Sequence, residues 1–321
     1  MDIVRFIKNW TLPLAMGIGA LVYLVFAFVP QLDAAACFFA PICDAIMPLF
    51  MFLILFVTFC KVDFRALRPV AWHWWVLLFN FVFVMVCMGL VLGFRMQGDS
   101  LLLVEAILMC IISPGATASA VVTQKLGGSL EETTTHTFLS NFVTVLLVPI
   151  CFPMLEKGMH LSFMSAFFAI LYKVAIVLLL PMLLAYIVKH TPALHRFHVW
   201  VISVKDLSYY LWAASLLIVT GTTVKNIVHA ETTVVLLTAI ALLGLVLCVV
   251  QFAVGKFIGH YFNRIVEAGQ AMGQKNTSFA IWMAYMFLNP LSSVGPGCYI
   301  LWQNIINSFE IWQKRRADES N

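Results

Sequence analysis

The chain has 321 residues, of which 62% are hydrophobic and 11% are charged, and its mean hydropathy is +0.97. These values exclude a soluble domain and indicate an all-α integral membrane protein. The net charge of +4 is small and scattered, which excludes the concentrated basic surface of a nucleic-acid-binding protein. The sequence contains no phosphate loop, nucleophile elbow, haem motif or convincing metal-ligand spacing, so neither an enzyme nor a resident cofactor is expected.

Apolar runs separated by short polar gaps predict roughly ten spanning helices and no separate soluble domain. The predicted spans are 11–30, 38–60, 70–94, 99–126, 131–155, 162–189, 198–222, 231–260, 265–287 and 292–313. Basic residues such as Lys61, Arg264 and Lys314 are concentrated on the loops of one side. The positive-inside rule therefore predicts a multi-pass protein of the inner or plasma membrane with both termini cytoplasmic. The sequence leaves open whether it works as a monomer or a homodimer.

The fourth predicted span is interrupted by the stretch from Ser113 to Ala120, which contains Pro114-Gly115. Proline removes a backbone donor and glycine loosens the helix. Backbone groups freed at this depth cannot face lipid, because each unsatisfied group costs several kcal/mol there. They must face protein or a water-filled cavity, so the interruption is a candidate binding site.

The ninth predicted span carries a similar polar stretch, from Gly269 to Ser278, at its middle. Five spans followed by five spans reverse the orientation of the second set, so we expect two inverted five-helix repeats, at about 11–155 and 162–313. Interrupted helices at matching positions of inverted repeats are typical of the midplane site of a transporter.

A half-helix that begins inside the membrane directs free amide groups and the positive end of its dipole at whatever lies before it, which suits an anion. The residues predicted to bind such a substrate are Thr117, Ala118, Ser119, Asn276 and Thr277. The alternative is that these small polar residues only cap and pack helices. Polar residues of the tenth span, Gln303, Asn304 and Asn307, either line a cavity or hydrogen-bond between helices.

Lys275 is the most informative residue of the ninth span. A cationic side chain at the centre of a bilayer is costly and usually marks a substrate or ion path. Lys275 lies about ten residues from each end of its span, which is too far for its amine to reach the interface along the lipid. We therefore predict a functional role for it.

Both interruptions resemble motifs of the bile acid:sodium symporter family. The stretch Pro114-Gly115-Ala116-Thr117-Ala118-Ser119 is similar to the P-G-G-T-A-S motif, and the stretch from Gly273 to Ser278 is similar to the G-M-Q-N-S motif of the ninth span. The resemblance extends over nearly the whole chain. It implies a panel domain of spans 1, 2, 6 and 7 beside a core domain of spans 3, 4, 5, 8, 9 and 10, in which the broken spans 4 and 9 cross.

The resemblance also implies sodium ligands, several of which are missing here. Ser119 matches a ligand serine, but Ala120 stands where an asparagine is common, and Ala271 stands where a bridging glutamate is expected. Lys275 replaces a glutamine. The coupling site implied by the resemblance consists of Lys275, Ser119, Thr133, Thr137, Asn80 and Gln274.

These differences suggest that the ammonium of Lys275 replaces bound sodium. We therefore predict a secondary transporter of organic anions, either bile acid-like or small carboxylates such as pantoate or keto acids, that works by alternating access. Transport is expected to be sodium-independent and to be proton-linked, exchanging or facilitated. Proton coupling is chemically possible because burial disfavours the charged form of an amine. The alternatives are a conventional sodium-coupled symporter and a locked receptor or channel-like binding protein.

Overall fold

The computed structural model describes residues 3–155, 162–204, 207–229 and 232–320, and these residues are almost entirely helical. The helices are α1 Ile3–Phe28, α2 Asp33–Lys61, α3 Ala71–Gly93, α4 Gly98–Ile112, α5 Ala118–Lys125, α6 Leu130–Leu155, α7 Phe163–Leu178, α8 Leu180–His190, α9 His195–Ser203, α10 Leu207–Val228, α11 Val234–Tyr261, α12 Ile265–Gly273, α13 Thr277–Phe287 and α14 Val294–Ser320. Short 3₁₀ turns follow at Pro30–Leu32, Pro192–Leu194 and Pro290–Ser293.

Six helical segments in the described part of the chain are long and apolar enough to cross a membrane. They are Cys37–Lys61, Ala71–Gly93, Leu130–Leu155, Phe163–His190, Tyr210–Val228 and Val234–Tyr261. Leu14–Phe28 and Thr277–Phe287 are shorter apolar helices. The protein is therefore a multi-pass membrane protein, while the count of ten spans and the inverted repeat stay predictions.

The chain divides into two compact units. The first contains Met1–Lys61 and Leu180–Glu231. Within it, α1 packs closely on α10, because a Cβ at Gly19 would overlap the backbone of Leu217. The end of α2 is held to the region of α9 by a hydrogen bond between His198 Nε2 and the Cys60 carbonyl, at 2.9 Å.

The predicted seventh span, 198–222, is wrong at its start. Helix α9 ends at Ser203 and α10 begins at Leu207 and continues to Val228. The predicted span therefore merges parts of two helices. Hydropathy missed this boundary because both helices are apolar and the sequence between them is short.

The second unit contains Val62–Leu179 and Thr232–Asn321. Helix α12 lies very close to α11, because a Cβ at Gly255 would overlap the carbonyl of Ala268. The start of α12 is tied to α6 by an ion pair in which Arg264 Nε lies 2.9 Å from Glu132 Oε1. This hydrogen bond raises the pKa of Arg264. Glu132 also accepts a hydrogen bond from Trp72 Nε1 of α3, so one carboxylate joins three segments of this unit.

Candidate functional site

The first interruption lies between α4, which ends at Ile112, and α5, which begins at Ala118. Its backbone is extended at Ser113, with a ψ of 144°. Two hydroxyl groups of α6 replace the lost helical partners: Thr144 Oγ1 donates to the Ile112 carbonyl at 2.9 Å, and Ser140 Oγ accepts from the Gly115 amide at 3.0 Å. These backbone groups are thus satisfied by protein, as burial in a membrane requires.

The second interruption lies between α12, which ends at Gly273, and α13, which begins at Thr277. Its partners come from α14. Tyr299 donates its hydroxyl to the Gly273 carbonyl at 2.8 Å. The side chain of Gln303 bonds the Lys275 peptide on both sides, accepting from its amide at 3.0 Å and donating to its carbonyl at 3.4 Å.

The two interruptions pair with each other through their backbones. The Ala116 amide donates to the Gln274 carbonyl at 2.9 Å, and the Asn276 amide donates to the Pro114 carbonyl at 2.8 Å. These bonds flank an antiparallel β-bridge between Gly115 and Lys275. Residues from distant parts of the sequence therefore form one site at which four helix ends meet.

The amine of Lys275 is buried within this unit, and the residue is only 3% exposed. Its Nζ donates to Asn80 Oδ1 of α3 and to the Ile111 carbonyl of α4, each at 3.3 Å. The amine therefore does not extend into lipid. It lies against oxygen atoms, which are the atoms that a cation needs.

A sequence model of the sodium bile acid symporter family matches residues 48–259, about two thirds of the chain. The chain belongs to the sodium bile acid symporter family. Members of this family are transporters, so the protein is a membrane transporter and not an enzyme. The match includes the first interruption and ends before the second. A comparison with curated proteins gives no match.

The residues predicted to bind substrate differ in accessibility in this transporter. Thr117, Ala118 and Asn276 are partly exposed, whereas Ser119 and Thr277 are buried. Ser119 donates its hydroxyl to the Ala116 carbonyl at 2.7 Å, and Asn276 Oδ1 accepts from the Phe279 amide at 3.1 Å as the N-cap of α13. Asn276 therefore caps α13, and the Ser119 hydroxyl is used locally within the first interruption.

The two threonines predicted for the coupling site are buried on α6. Thr133 donates to the Ser129 carbonyl at 3.0 Å and lies 3.2 Å from Thr123 Oγ1. Thr137 donates to the Thr133 carbonyl at 3.2 Å. The donor capacity of both hydroxyls is thus used within the protein, while their lone pairs remain available as acceptors.

Alanines occupy two of the positions at which the family resemblance implies sodium ligands. Ala120 is 5% exposed and Ala271 is 1% exposed. Ala271 belongs to an apolar cluster with Trp72 and Val76 of α3. The place of the expected carboxylate is therefore packed with hydrocarbon.

Several side chains around the interruptions were not singled out from the sequence. Tyr299, Ser140 and Thr144 support the interruptions, as described above, and their only sequence signal is a polar atom within an apolar span. Gln274, which was predicted for the coupling site, donates to Gln270, and Gln270 donates to Glu310 Oε2 at 2.6 Å. Glu310 also forms an ion pair with Lys256 of α11 at 2.5 Å. These contacts connect the second interruption to α11 and α14.

Proposed function

We propose that this transporter carries organic anions by alternating access and that the Lys275 ammonium replaces a bound sodium ion as the positive charge at the crossover. The contact of Lys275 Nζ with two oxygen acceptors, Asn80 Oδ1 and the Ile111 carbonyl, carries the proposal. Ion sites in membrane proteins replace a hydration shell with such oxygens. An ammonium fixed to the chain satisfies the same acceptors without a dissolved ion.

The loss of other sodium ligands supports this assignment. A buried sodium ion is favoured by a nearby carboxylate, and Ala271 provides only a methyl group at the implied position. A second cation beside the Lys275 ammonium would be repelled, because two like charges interact strongly in a medium of low dielectric. The expected transport is therefore sodium-independent and is driven by protons, by exchange or by the anion gradient alone.

The anion is expected to bind beside the paired interruptions. The N-terminal ends of α5 and α13 supply positive dipole ends there, and the amine of Lys275 adds a full charge. Thr117 and Asn276 are partly exposed and can donate hydrogen bonds to a carboxylate or sulfate group. This chemistry fits a bile acid-like anion or a small carboxylate such as pantoate or a keto acid. Ser119 and Thr277 would complete the site in a more open state.

The wider arrangement of the transporter is part of the same proposal. Spans 1, 2, 6 and 7 would form the panel, the remaining spans would form the core, and an elevator or rocking motion would expose the crossover to each side in turn. The excess of basic residues on one set of loops favours cytoplasmic termini in an inner or plasma membrane.

The first test measures uptake of a labelled bile acid, pantoate and a keto acid into proteoliposomes. We expect equal initial rates in sodium and potassium buffer, and a loss of at least about tenfold in Lys275→Ala, because a charged hydrogen-bonding group is removed. Lys173→Gln is the matched control: Lys173 is an exposed lysine of α7 whose amine lies over the Phe287 ring at 5.2 Å, and its loss should leave uptake unchanged. Sodium-stimulated uptake that Lys275→Ala does not alter would overturn the proposal.

A second test restores the sodium ligands. The double variant Ala271→Glu with Lys275→Gln returns a carboxylate and an amide oxygen to the positions implied by the family resemblance. We expect its uptake to become sodium-dependent, whereas each single variant should remain slow in both buffers. Equal sodium dependence of the double variant and the wild type would contradict the replacement of sodium by Lys275.

A further inference from the structure

Gln251 of α11 is a buried polar residue that the proposed mechanism has not used. It is 1% exposed, and neither its Nε2 nor its Oε1 has a hydrogen-bond partner among the described residues. Amide groups buried in this way nearly always bind a partner, which is commonly an ordered water. Its position therefore decides what it can bind.

The packing of α11 beside α3 and α12 relates the position of Gln251 to that of Asn80. Val254 and Ile258 of the C-terminal part of α11, and Phe262 directly after it, pack against a cluster of α3 and α12 residues that contains Trp72 and Val76 of the N-terminal part of α3. From this cluster, one turn back along α11 leads to Gln251, and one turn forward along α3 leads to Asn80. The two amides therefore lie at the same level on neighbouring helices.

The contacts of α11 with α12 also put Gln251 at the height of the second interruption. Phe252, the next residue, is 3% exposed and its ring lies against Gly273, so closely that a Cβ there would overlap it. Gly273 is two residues before Lys275, whose amine bonds Asn80. The residue next to Gln251 thus packs on the segment that carries Lys275.

The chemistry of the two groups is complementary. A lysine ammonium has three N–H donors, and two of them are accounted for by Asn80 and the Ile111 carbonyl. Gln251 offers a buried oxygen without a partner among the described residues, at more than direct hydrogen-bonding distance from the amine. One water can join two such groups at little cost in free energy.

We propose that Gln251 is a positioning residue for Lys275, and that its side-chain oxygen takes the third hydrogen bond of the ammonium through one bridging water. The inference rests on the proposed function, because it adds a third contact to the ammonium that is proposed to replace sodium. The ammonium would then be bound by groups of α3, α4 and α11, so a shift of α11 would change its hydrogen bonds.

A double-mutant cycle tests this coupling. Gln251→Leu should lower the initial uptake rate by about fivefold or more in the wild-type background and have no further effect in Lys275→Gln, because residues that act through each other are not additive. Its Tm should stay within a few degrees of that of the wild type, since losing one water-mediated hydrogen bond costs only about 0.5–1.5 kcal/mol and leucine is similar in size to glutamine. Thr220→Val of α10 is the control: it likewise removes a buried polar group without a partner among the described residues, and it should not alter uptake. Equal losses from Gln251→Leu in both backgrounds, or no loss in either, would overturn the inference.

A binding measurement separates this inference from the proposed function, because it needs no transport. The double variant Lys275→Gln with Gln251→Glu places a carboxylate and two amide oxygens around the vacated amine position. We expect sodium, compared with potassium, to raise its Tm by about 2 °C or more, as binding to the folded state requires. Lys275→Gln alone should give no such shift. If the double variant shows no sodium-specific shift, Gln251 does not lie next to the vacated amine position, whatever the wild-type protein transports.

Discussion

The first interruption leaves Ala116, Thr117 and Ala118 partly exposed, whereas the second holds Gln274 at 1% and Lys275 at 3% exposure. The first therefore offers a neutral, accessible surface, and the second buries a charge. Both are supported in the same way, by the helix that follows the broken span: α6 supports the first and α14 supports the second. Under the proposed function, the first interruption and the partly exposed Asn276 would contact the anion, and Lys275 would supply the fixed charge.

The supports differ in chemistry as well as in position. Helix α6 supplies two small hydroxyl groups to the first interruption, one as a donor and one as an acceptor. Helix α14 supplies the phenol of Tyr299 and the amide of Gln303, which hydrogen-bonds both the N–H and the carbonyl of Lys275. A buried ammonium needs a more rigid backbone than a partly exposed surface does, because its position determines which oxygen atoms it reaches. Three predictions test this difference.

The largest effect is expected for the glycine of the second interruption. Gly273→Ala would force its Cβ into the Phe252 ring, whereas the nearest atoms to a Cβ at Gly115 are the Ala271 carbonyl oxygen and Ser140 Oγ, both at 3.5 Å. Overpacking costs about 1–3 kcal/mol, so Gly273→Ala should clearly lower the Tm of the purified transporter in detergent, and Gly115→Ala should change it little. Thermal unfolding followed by intrinsic fluorescence measures both.

A second substitution distinguishes overlap from a general effect of the alanine. Phe252→Leu removes the ring that lies against Gly273, so Gly273→Ala should cost less in that background. If Gly115→Ala and Gly273→Ala lower the Tm equally, the two interruptions are equally tolerant and the contrast in packing does not matter.

The next prediction concerns the amide that holds the Lys275 peptide, whose loss leaves no steric overlap. Gln303→Leu leaves the buried Lys275 amide without its acceptor, at a cost of about 1–3 kcal/mol, and also frees the peptide to rotate. Ser140→Ala is the matched change at the first interruption, where it removes the acceptor of the Gly115 amide. We expect Gln303→Leu to reduce anion uptake more strongly than Ser140→Ala even when both proteins unfold at similar temperatures. Retention of full uptake by Gln303→Leu would show that the orientation of the Lys275 peptide is unimportant.

The positions of both interruptions could be predicted from the sequence, because Pro114-Gly115 and the polar run that includes Lys275 stand out against apolar surroundings. The burial of the Lys275 amine followed from its distance to the span ends. The partners of the interruptions could not be predicted. Tyr299 and Ser140 resemble many polar residues of membrane helices, and only the pairing of distant segments gives them their partners at the interruptions. The start of α10 was missed because hydropathy does not detect a short break between two apolar helices.

The smallest effects are expected for two single hydroxyl groups, and they report whether the interruptions act together. Tyr299→Phe removes the donor to the Gly273 carbonyl, and Thr144→Val removes the donor to the Ile112 carbonyl. Each should cost about 0.5–1.5 kcal/mol, measured as the free energy of unfolding in mixed micelles. Independent sites add to within about 0.5 kcal/mol. Two backbone hydrogen bonds join the interruptions through Ala116 and Asn276, so we expect the double variant to depart from additivity by more than that. Simple additivity would mean that the bridge between Gly115 and Lys275 does not couple the two interruptions energetically. The first interruption and the Lys275 ammonium would then respond separately to a bound anion.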